Sequence, residues 1–193
     1  MTTSPMVRAR RAGVTILELL VVMTMIGVMV AMIAPKLRVS PNQYARIAAR
    51  RLMQDVEVAR NRALSLKRVT QVQFTTATNQ YVTYGDNDGD GAIAGNNAEI
   101  VFAHAFGTRQ LQDGVIMGRG SAPNVPGEAG SGAVTFTGAQ INFDTRGLPT
   151  PFGTKGTVYF TTSTNSDVVY AVQMSGAGSF KMWTYNASAG AWQ

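Results

Sequence analysis

An unbroken apolar segment at residues 14–34 constrains this 193-residue chain more than any other feature of its sequence. Only Thr15, Glu18, Thr24 and Gly27 interrupt the large apolar side chains and alanines of this segment. A helix of this length rises about 30 Å, which matches the hydrocarbon thickness of a bilayer. A core helix in a chain this small should show a polar face, and this segment shows none. The segment is therefore predicted to be a transmembrane helix.

The charges that flank this segment indicate its orientation. Arg8, Arg10 and Arg11 precede it without any acidic residue. The positive-inside rule then places the N-terminus in the cytoplasm and the rest of the chain on the other side of the membrane. A secretory signal peptide also has a basic start and an apolar stretch, but this stretch is too long and lacks a small-residue cleavage site at its end. We therefore expect the segment to stay attached.

Glu18 is the one ionisable residue within the apolar segment. Such a residue costs about 2.5 to 3.5 kcal/mol inside a membrane even on lenient insertion scales. One interpretation is that the carboxylate, which lies four residues after the start of the segment, reaches the lipid headgroups. The favoured interpretation is that a cationic group meets the carboxylate when the protein assembles.

The residues around Glu18 resemble the processing and assembly motif of type IV pilins and of type II secretion pseudopilins. They read Gly13-Val14-Thr15-Ile16-Leu17-Glu18-Leu19-Leu20-Val21-Val22, with Val14 in place of the usual phenylalanine. The resemblance implies a cleaved basic leader at residues 1–13, cut after Gly13 by a prepilin peptidase of the inner membrane, and N-methylation of Val14. It further implies that Glu18 accepts the terminal amine of a neighbouring subunit, and that Pro35 breaks the helix. The transmembrane and assembly segment would then cover residues 14–35.

A second helix is expected in the neck, residues 36–68. Ser40-Pro41-Asn42-Gln43 has the form of a capping box, with Ser40 as the N-cap. Apolar residues then recur at intervals of three and four and predict one stripe that packs on the head; they are Ala48, Leu52, Val56, Ala59, Ala63 and Leu66. Arg51 and Asp55 have the spacing of an ion pair on one helix face. The neck carries a net charge of +7, which we expect mainly on faces that are solvated or that meet acidic groups of a partner. Contact with anionic lipid headgroups or with the acidic head of another subunit is the next alternative, and DNA binding is the least favoured.

In the head, residues 69–193, the pattern changes to short β-branched and aromatic segments separated by Gly, Asn, Asp and Pro. Strands are predicted at residues 69–76, 80–84, 98–103, 114–117, 133–137, 140–143, 157–162, 167–174 and 179–185. Together with the two helices they indicate an α+β fold, a long pilin-like helical stem followed by an antiparallel β-sandwich head. Residues 118–132 are rich in helix and strand breakers and are predicted to form a surface loop.

Three stretches of the head, residues 141–149, 156–160 and 171–178, resemble H-type minor pseudopilins and FimT-like pilins. The resemblance implies a structural subunit of the periplasmic pseudopilus of type II secretion. Its partners would be other pseudopilins or pilins, the prepilin peptidase and the inner-membrane assembly platform. The alternative is a FimT-like minor type IV pilin that binds DNA for uptake or primes pilus assembly.

The distribution of charge argues against nucleic acid as a partner. The whole chain has a net charge of +6, but the head has −3, so the basic balance belongs to the leader and the neck. FimT-like DNA binding relies on basic residues of the head. Only Lys155 and Lys181 are basic beyond residue 150, which favours the pseudopilin.

A loop at residues 86–91 resembles the first half of a calcium loop, with Asp86, Asp88 and Asp90 at alternate positions. The twelfth position is Asn97 where a calcium loop has a bidentate glutamate, and the same residues are ordinary turn formers. We expect no cofactor, and calcium at this loop is the alternative.

The composition leaves little room for an enzyme. The chain has no cysteine, and its single histidine, His104, excludes zinc sites built on several imidazoles. No phosphate-binding loop, dinucleotide fingerprint, metalloprotease motif or nucleophile elbow occurs. Asp144 and Arg146 are better explained as residues that order a turn than as a catalytic pair. We therefore expect that the protein is not an enzyme.

Overall fold

The computed structural model describes residues 14–34, 40–101, 107–112, 114–164 and 166–193. Backbone contacts divide the chain into two compact units, Met1–Val39 and Ser40–Gln193. In the first unit the described residues form the helix α1 (Ile16–Ile33), in which no residue is buried. Its 18 residues have a mean hydropathy of 2.6, so it is long and apolar enough to cross a membrane. Pro35, which is predicted to break this helix, lies outside the described residues.

The second unit starts with a longer helix, α2 (Pro41–Leu66). Ser40 is its N-cap residue and Pro41 its first helical residue, as predicted, but the Ser40 side chain makes no capping hydrogen bond. The predicted side-chain hydrogen bond of the capping box is therefore wrong. The backbone closes this end instead, since the Gln43 N–H donates to the Ser40 carbonyl oxygen at 2.9 Å. Lys67 ends the helix in the left-handed conformation, with φ of 55°.

One face of α2 is buried against the strands of the head. The predicted stripe is confirmed at Ala48, Leu52, Val56, Ala59 and Ala63, none of which is more than 8% exposed. Leu66 lies outside the stripe and is 50% exposed, because the helix ends there. Ala45 and Ala49 also lie on the buried face. So many small side chains allow the helix backbone to lie close to the sheets.

Nine strands follow within the described residues, and they form two antiparallel sheets. They are β1 (Thr70–Thr75), β2 (Gln80–Gly85), β3 (Thr108–Gln110), β4 (Val115–Met117), β5 (Gln140–Phe143), β6 (Gly156–Thr162), β7 (Val168–Met174), β8 (Phe180–Asn186) and β9 (Ala191–Trp192). The strand orders are β3-β2-β1-β5 and β4-β6-β7-β8-β9. Helix α2 contacts both sheets, and the predicted α+β fold class is confirmed.

Two of the predicted strands are wrong. The described part of 98–103 begins in a 3₁₀ turn, Asn97–Glu99, because the Asn96 side chain accepts hydrogen bonds from two backbone N–H groups of that turn. Beyond the turn, Ile100 forms only an isolated bridge to Tyr84. In the predicted strand 133–137, a single bridge joins Val134 to Val158. Strands β3 and β9 were not predicted.

The core has two parts. The larger part joins α2 to both sheets and includes Phe74, Phe143 and Phe160. The smaller part lies around Tyr159 and includes Val125, which is 1% exposed. Because successive strand residues point to opposite faces, Tyr159 and Phe160 place the two parts on opposite faces of β6. The loop at 118–132 was predicted to lie on the surface, yet it covers this second face with buried side chains.

Candidate assembly helix and acidic loop

Thr15 caps the N-terminus of α1. Its Oγ1 accepts a hydrogen bond from the backbone N–H of Glu18 at 3.2 Å, which satisfies one donor that a helix start leaves unpaired. From its place in the sequence, Thr15 is only a polar interruption of the apolar segment. The spacing Thr-x-x-Glu was the available signal, because it is the pattern of a capping box. The helix thus starts close to the predicted cleavage site at Gly13, which lies outside the described residues.

Glu18 lies in the first turn of this capped helix and is exposed. A carboxylate in the first turn is stabilised by the partial positive charge of the helix N-terminus. In the part of the chain that the structure describes, the ion pairs are Arg109–Asp55 and Arg146–Asp144, and neither involves Glu18. The carboxylate is therefore open to a cation from outside this part of the chain.

The apolar side chains of α1 find no cover within their unit. Their exposure ranges from 43% at Val21 to 89% at Ile16, and Val14 is 69% exposed. A continuous apolar surface of this kind requires lipid or other apolar helices around it. The helix therefore has the properties of a segment that is buried only in a membrane or an assembly.

The acidic loop, residues 86–91, follows β2 and brings its three aspartates together. One carboxylate oxygen from each of Asp86, Asp88 and Asp90 lies within 4.8 Å of the others. Asp86 is 4% exposed, and its carboxylate accepts hydrogen bonds from the N–H groups of Gly89 and Gly91 at 2.5 and 3.1 Å. Burial raises the pKa of Asp86, but these two hydrogen bonds and the nearby Arg68 outweigh burial and lower it overall.

Arginine side chains already bring positive charge to the acidic loop. Arg68 donates to the carbonyl oxygens of Asp86, at 3.0 Å, and of Asn87. Arg62 donates to the side-chain oxygen of Asn87 at 3.3 Å. Glu99, the nearest further carboxylate in the sequence, accepts the N–H of Gly95 at 2.8 Å. A calcium ion held by the three aspartates would lie close to these arginines, and calcium binding stays the alternative to the expectation of no cofactor.

The turn after β5 is ordered by Asp144. Its Oδ1 accepts the N–H groups of Arg146 and Leu148 at 2.8 and 2.9 Å, and its Oδ2 forms an ion pair with Arg146 at 2.9 Å. The interpretation of Asp144 and Arg146 as turn residues is confirmed. His104 lies outside the described residues.

The sequence patterns did not indicate a buried polar network that joins α2 to the head. Asp55 of α2, which is 3% exposed, accepts a hydrogen bond from the Tyr81 hydroxyl at 2.7 Å and forms an ion pair with Arg109 at 2.9 Å. Burial, and then the charge of Asp55, raise the pKa of Tyr81 far above its usual value. The spacing of Arg51 and Asp55 had suggested a local pair, whereas the fold supplies partners from β2 and β3.

The family model for the type II transport protein GspH matches residues 48–178. The minor pseudopilin EpsH of Vibrio cholerae is a solved structure with a TM-score of 0.48 and 13% identity, over 74% of this chain and 95% of that chain. The type IV minor pilin FimU of Pseudomonas aeruginosa gives a TM-score of 0.45 and 15% identity, over 71% and 90%. No curated protein sequence gives a significant match. Since the family model matches more than half of the chain, the protein belongs to the GspH family of type II transport proteins.

Proposed function

We propose that this protein is a minor pseudopilin, a structural subunit of the periplasmic pseudopilus of a type II secretion system. The observation that carries the proposal is Glu18, a carboxylate in the first turn of a capped apolar helix that has no buried residue. The family match supports a role in type II transport. The motif at residues 13–22 supports processing of the chain by a prepilin peptidase.

Cleavage after Gly13 creates a terminal amine on Val14, one residue before the cap of α1. This amine, methylated but still cationic, pairs with Glu18 of the neighbouring subunit as the filament grows. Each charge alone pays a desolvation penalty in an apolar surrounding, and pairing removes most of that penalty for both. The pair therefore favours subunits in the correct axial register, while the apolar side chains of α1 pack among the helices of other pseudopilins.

The same proposal fixes the location of each segment. The basic leader faces the cytoplasm, α1 spans the inner membrane before assembly, and the head is periplasmic. The prepilin peptidase and the inner-membrane assembly platform act on the segment around Val14. The head contributes surface contacts and no chemistry.

The first prediction concerns Glu18→Gln. The variant should be cleaved and inserted into the membrane normally, because the cleavage site and the cap by Thr15 are unchanged. Its recovery with the other pseudopilins should fall by about tenfold or more, since a loss of only about 1.4 kcal/mol at each pairing step has that effect. Immunoblots of mature and precursor protein, with recovery of sheared pseudopili, measure both quantities.

A control variant and a second measurement distinguish a defect in processing from a defect in assembly. Thr15→Val removes the helix cap but keeps the carboxylate, so it is the matched control and should assemble better than Glu18→Gln. Mass spectrometry of the mature N-terminus should find methylated Val14. Wild-type incorporation of Glu18→Gln, or a mature chain that starts elsewhere, would overturn the proposal.

A further inference from the structure

A groove of about 360 Å³ lies at one end of the second sheet, beside the turn that joins β7 to β8. Side chains that line it are Glu128, Lys155, Gln173, Ser175, Ser179 and Lys181. Neither the assembly motif nor the acidic loop involves this groove.

Both lysines of the head line this groove. Lys155 and Lys181 are exposed, and neither forms an ion pair with a carboxylate among the described residues. The three arginines of the head are engaged within the protein, because Arg109 and Arg146 pair with aspartates and Arg119 donates to a backbone carbonyl. The groove thus brings together the two cations of the head that have neither an ion pair nor a hydrogen bond among the described residues, in a head with a net charge of −3.

The single carboxylate of the groove, Glu128, forms no ion pair with either lysine. Glu128 Oε1 accepts the N–H groups of Ala129 and Gly130, at 2.9 and 3.0 Å. Its Oε2 accepts the hydroxyl groups of Thr135 and Thr157, at 2.7 and 2.9 Å. The oxygens of Glu128 are therefore committed to its own loop and to β6.

The walls of the groove are held in place by the rest of the head. Arg60 of α2 donates to the carbonyl oxygen of Gly178 at 3.1 Å, which ties the β7–β8 turn beside the groove to the helix, and to that of Gly147, in the turn after β5, at 2.9 Å. The Lys181 ammonium lies 3.4 Å from the centre of the Trp183 ring. Such a stacked cation loses little freedom when it binds an anion.

An exposed aromatic residue adjoins the groove. Phe152 is 79% exposed, more than any other large apolar side chain in the described part of the head. Its turn contacts the β7–β8 turn so closely that a Cβ at Gly176 would lie 3.0 Å from the carbonyl oxygen of Gly153. Aromatic residues are enriched in protein–protein interfaces relative to the rest of the surface.

We propose that this groove binds an acidic segment of a partner polypeptide, with carboxylates at Lys155 and Lys181 and an apolar side chain against Phe152. DNA fits less well, because a duplex carries one charge about every 1.7 Å and the head around these two lysines is net acidic. The inference concerns the head alone and does not rest on the role proposed for Glu18.

A selection from random twelve-residue peptides tests the charge preference, with the full chain immobilised in detergent. The wild type should enrich peptides that contain at least two acidic residues and a large apolar residue. The double variant Lys155→Glu/Lys181→Glu should not enrich them. Arg46→Glu/Arg50→Glu is the matched control, because it makes the same change of charge at exposed positions of α2 outside the groove and should enrich the same peptides.

The dissociation constant of the most enriched peptide, measured with a labelled synthetic copy, then shows how much each variant weakens binding. We expect about a tenfold or larger loss in the lysine variant and in the Asn/Gln analogue of the peptide, and a several-fold loss in Phe152→Ala. Unchanged unfolding transitions would show that all variants are folded. The proposal is overturned if no enrichment depends on the two lysines. It is equally overturned if a 20-mer DNA binds through them more tightly than any acidic peptide does.

Discussion

Asp55 is an acidic residue in the buried face of a helix whose other buried residues are alanine, valine and leucine. A charge in this position is tolerated only where it is paired and hydrogen-bonded. Tyr81 and Arg109 supply these partners, so that one carboxylate connects α2 to β2 and to β3. Because β3 has only three residues and lies at the edge of its sheet, the Arg109 ion pair is a main attachment of that strand.

Asp55→Ala should lower the free energy of unfolding by about 3 kcal/mol, because it removes the carboxylate that accepts from the buried Tyr81 hydroxyl and forms the ion pair with Arg109. Tyr81→Phe should cost about 1 kcal/mol, since Asp55 keeps its ion pair. Denaturation followed by fluorescence of Trp183 and Trp192 measures both values. Glu57→Ala, at an exposed site two residues along the same helix, is the control and should change stability by less than about 0.5 kcal/mol. An equal effect of Asp55→Ala and Glu57→Ala would contradict the network.

The burial of Asp55 could be predicted only in part from the sequence. Its neighbours Leu52, Val56 and Ala59 recur with the helical period, and that pattern identified the buried face correctly. Its partners lie 26 and 54 residues away in the chain, so their approach depends on how the sheet packs on the helix. Local spacing could offer only Arg51.

Strand length and apolar content determine which strands can be predicted from the sequence. Strands β6, β7 and β8 have seven residues each and begin and end within one residue of their predicted bounds. Strands β3 and β9 have three and two residues, and β3 is entirely polar, whereas the equally short β4 is Val-Ile-Met and was predicted. At 98–103 the β-branched residues indicated a strand, but the local hydrogen bonds of Asn96 favour a turn.

Contacts within the protein support the conformation of the acidic loop. Asp86 accepts two backbone N–H groups, and Arg68 supplies a positive charge that a metal would otherwise provide. Gly89 and Gly91 adopt φ values of 85° and 83°, which glycine reaches without strain. We expect that these contacts hold the loop without a metal.

We therefore predict that millimolar calcium raises the melting temperature of the head by less than about 1 °C. A ligand present at 100 times its dissociation constant would add about 2.7 kcal/mol, which corresponds to several degrees. Magnesium at the same ionic strength is the control for salt effects. A saturable increase that disappears in Asp88→Asn would show instead that the loop is a calcium site.

Across the whole head, carboxylates act as organisers of loops. Asp86, Glu128 and Asp144 lie in three separate loops, and each accepts at least two backbone N–H groups. In each case burial raises the pKa of the carboxyl group, but the hydrogen bonds that it accepts outweigh burial and lower the pKa below its usual value. The ionised form is thus the form that the fold requires.

This pattern predicts how the stability of the head depends on pH. Because the folded-state pKa values are lowered, the unfolded chain binds more protons in acid, so the stabilisation is complete above the unfolded pKa values and is lost as pH falls through the folded ones. The unfolding midpoint should therefore be nearly constant between about pH 8 and 6 and should fall progressively below about pH 5. Denaturant titrations across this range, read at Trp183 and Trp192, measure the slope. Glu128→Gln should reduce the acid slope, while Glu57→Gln, at an exposed position without a hydrogen-bond partner among the described residues, should leave it unchanged. If the two variants follow the same pH profile, the three carboxylates are not the groups that hold these loops together.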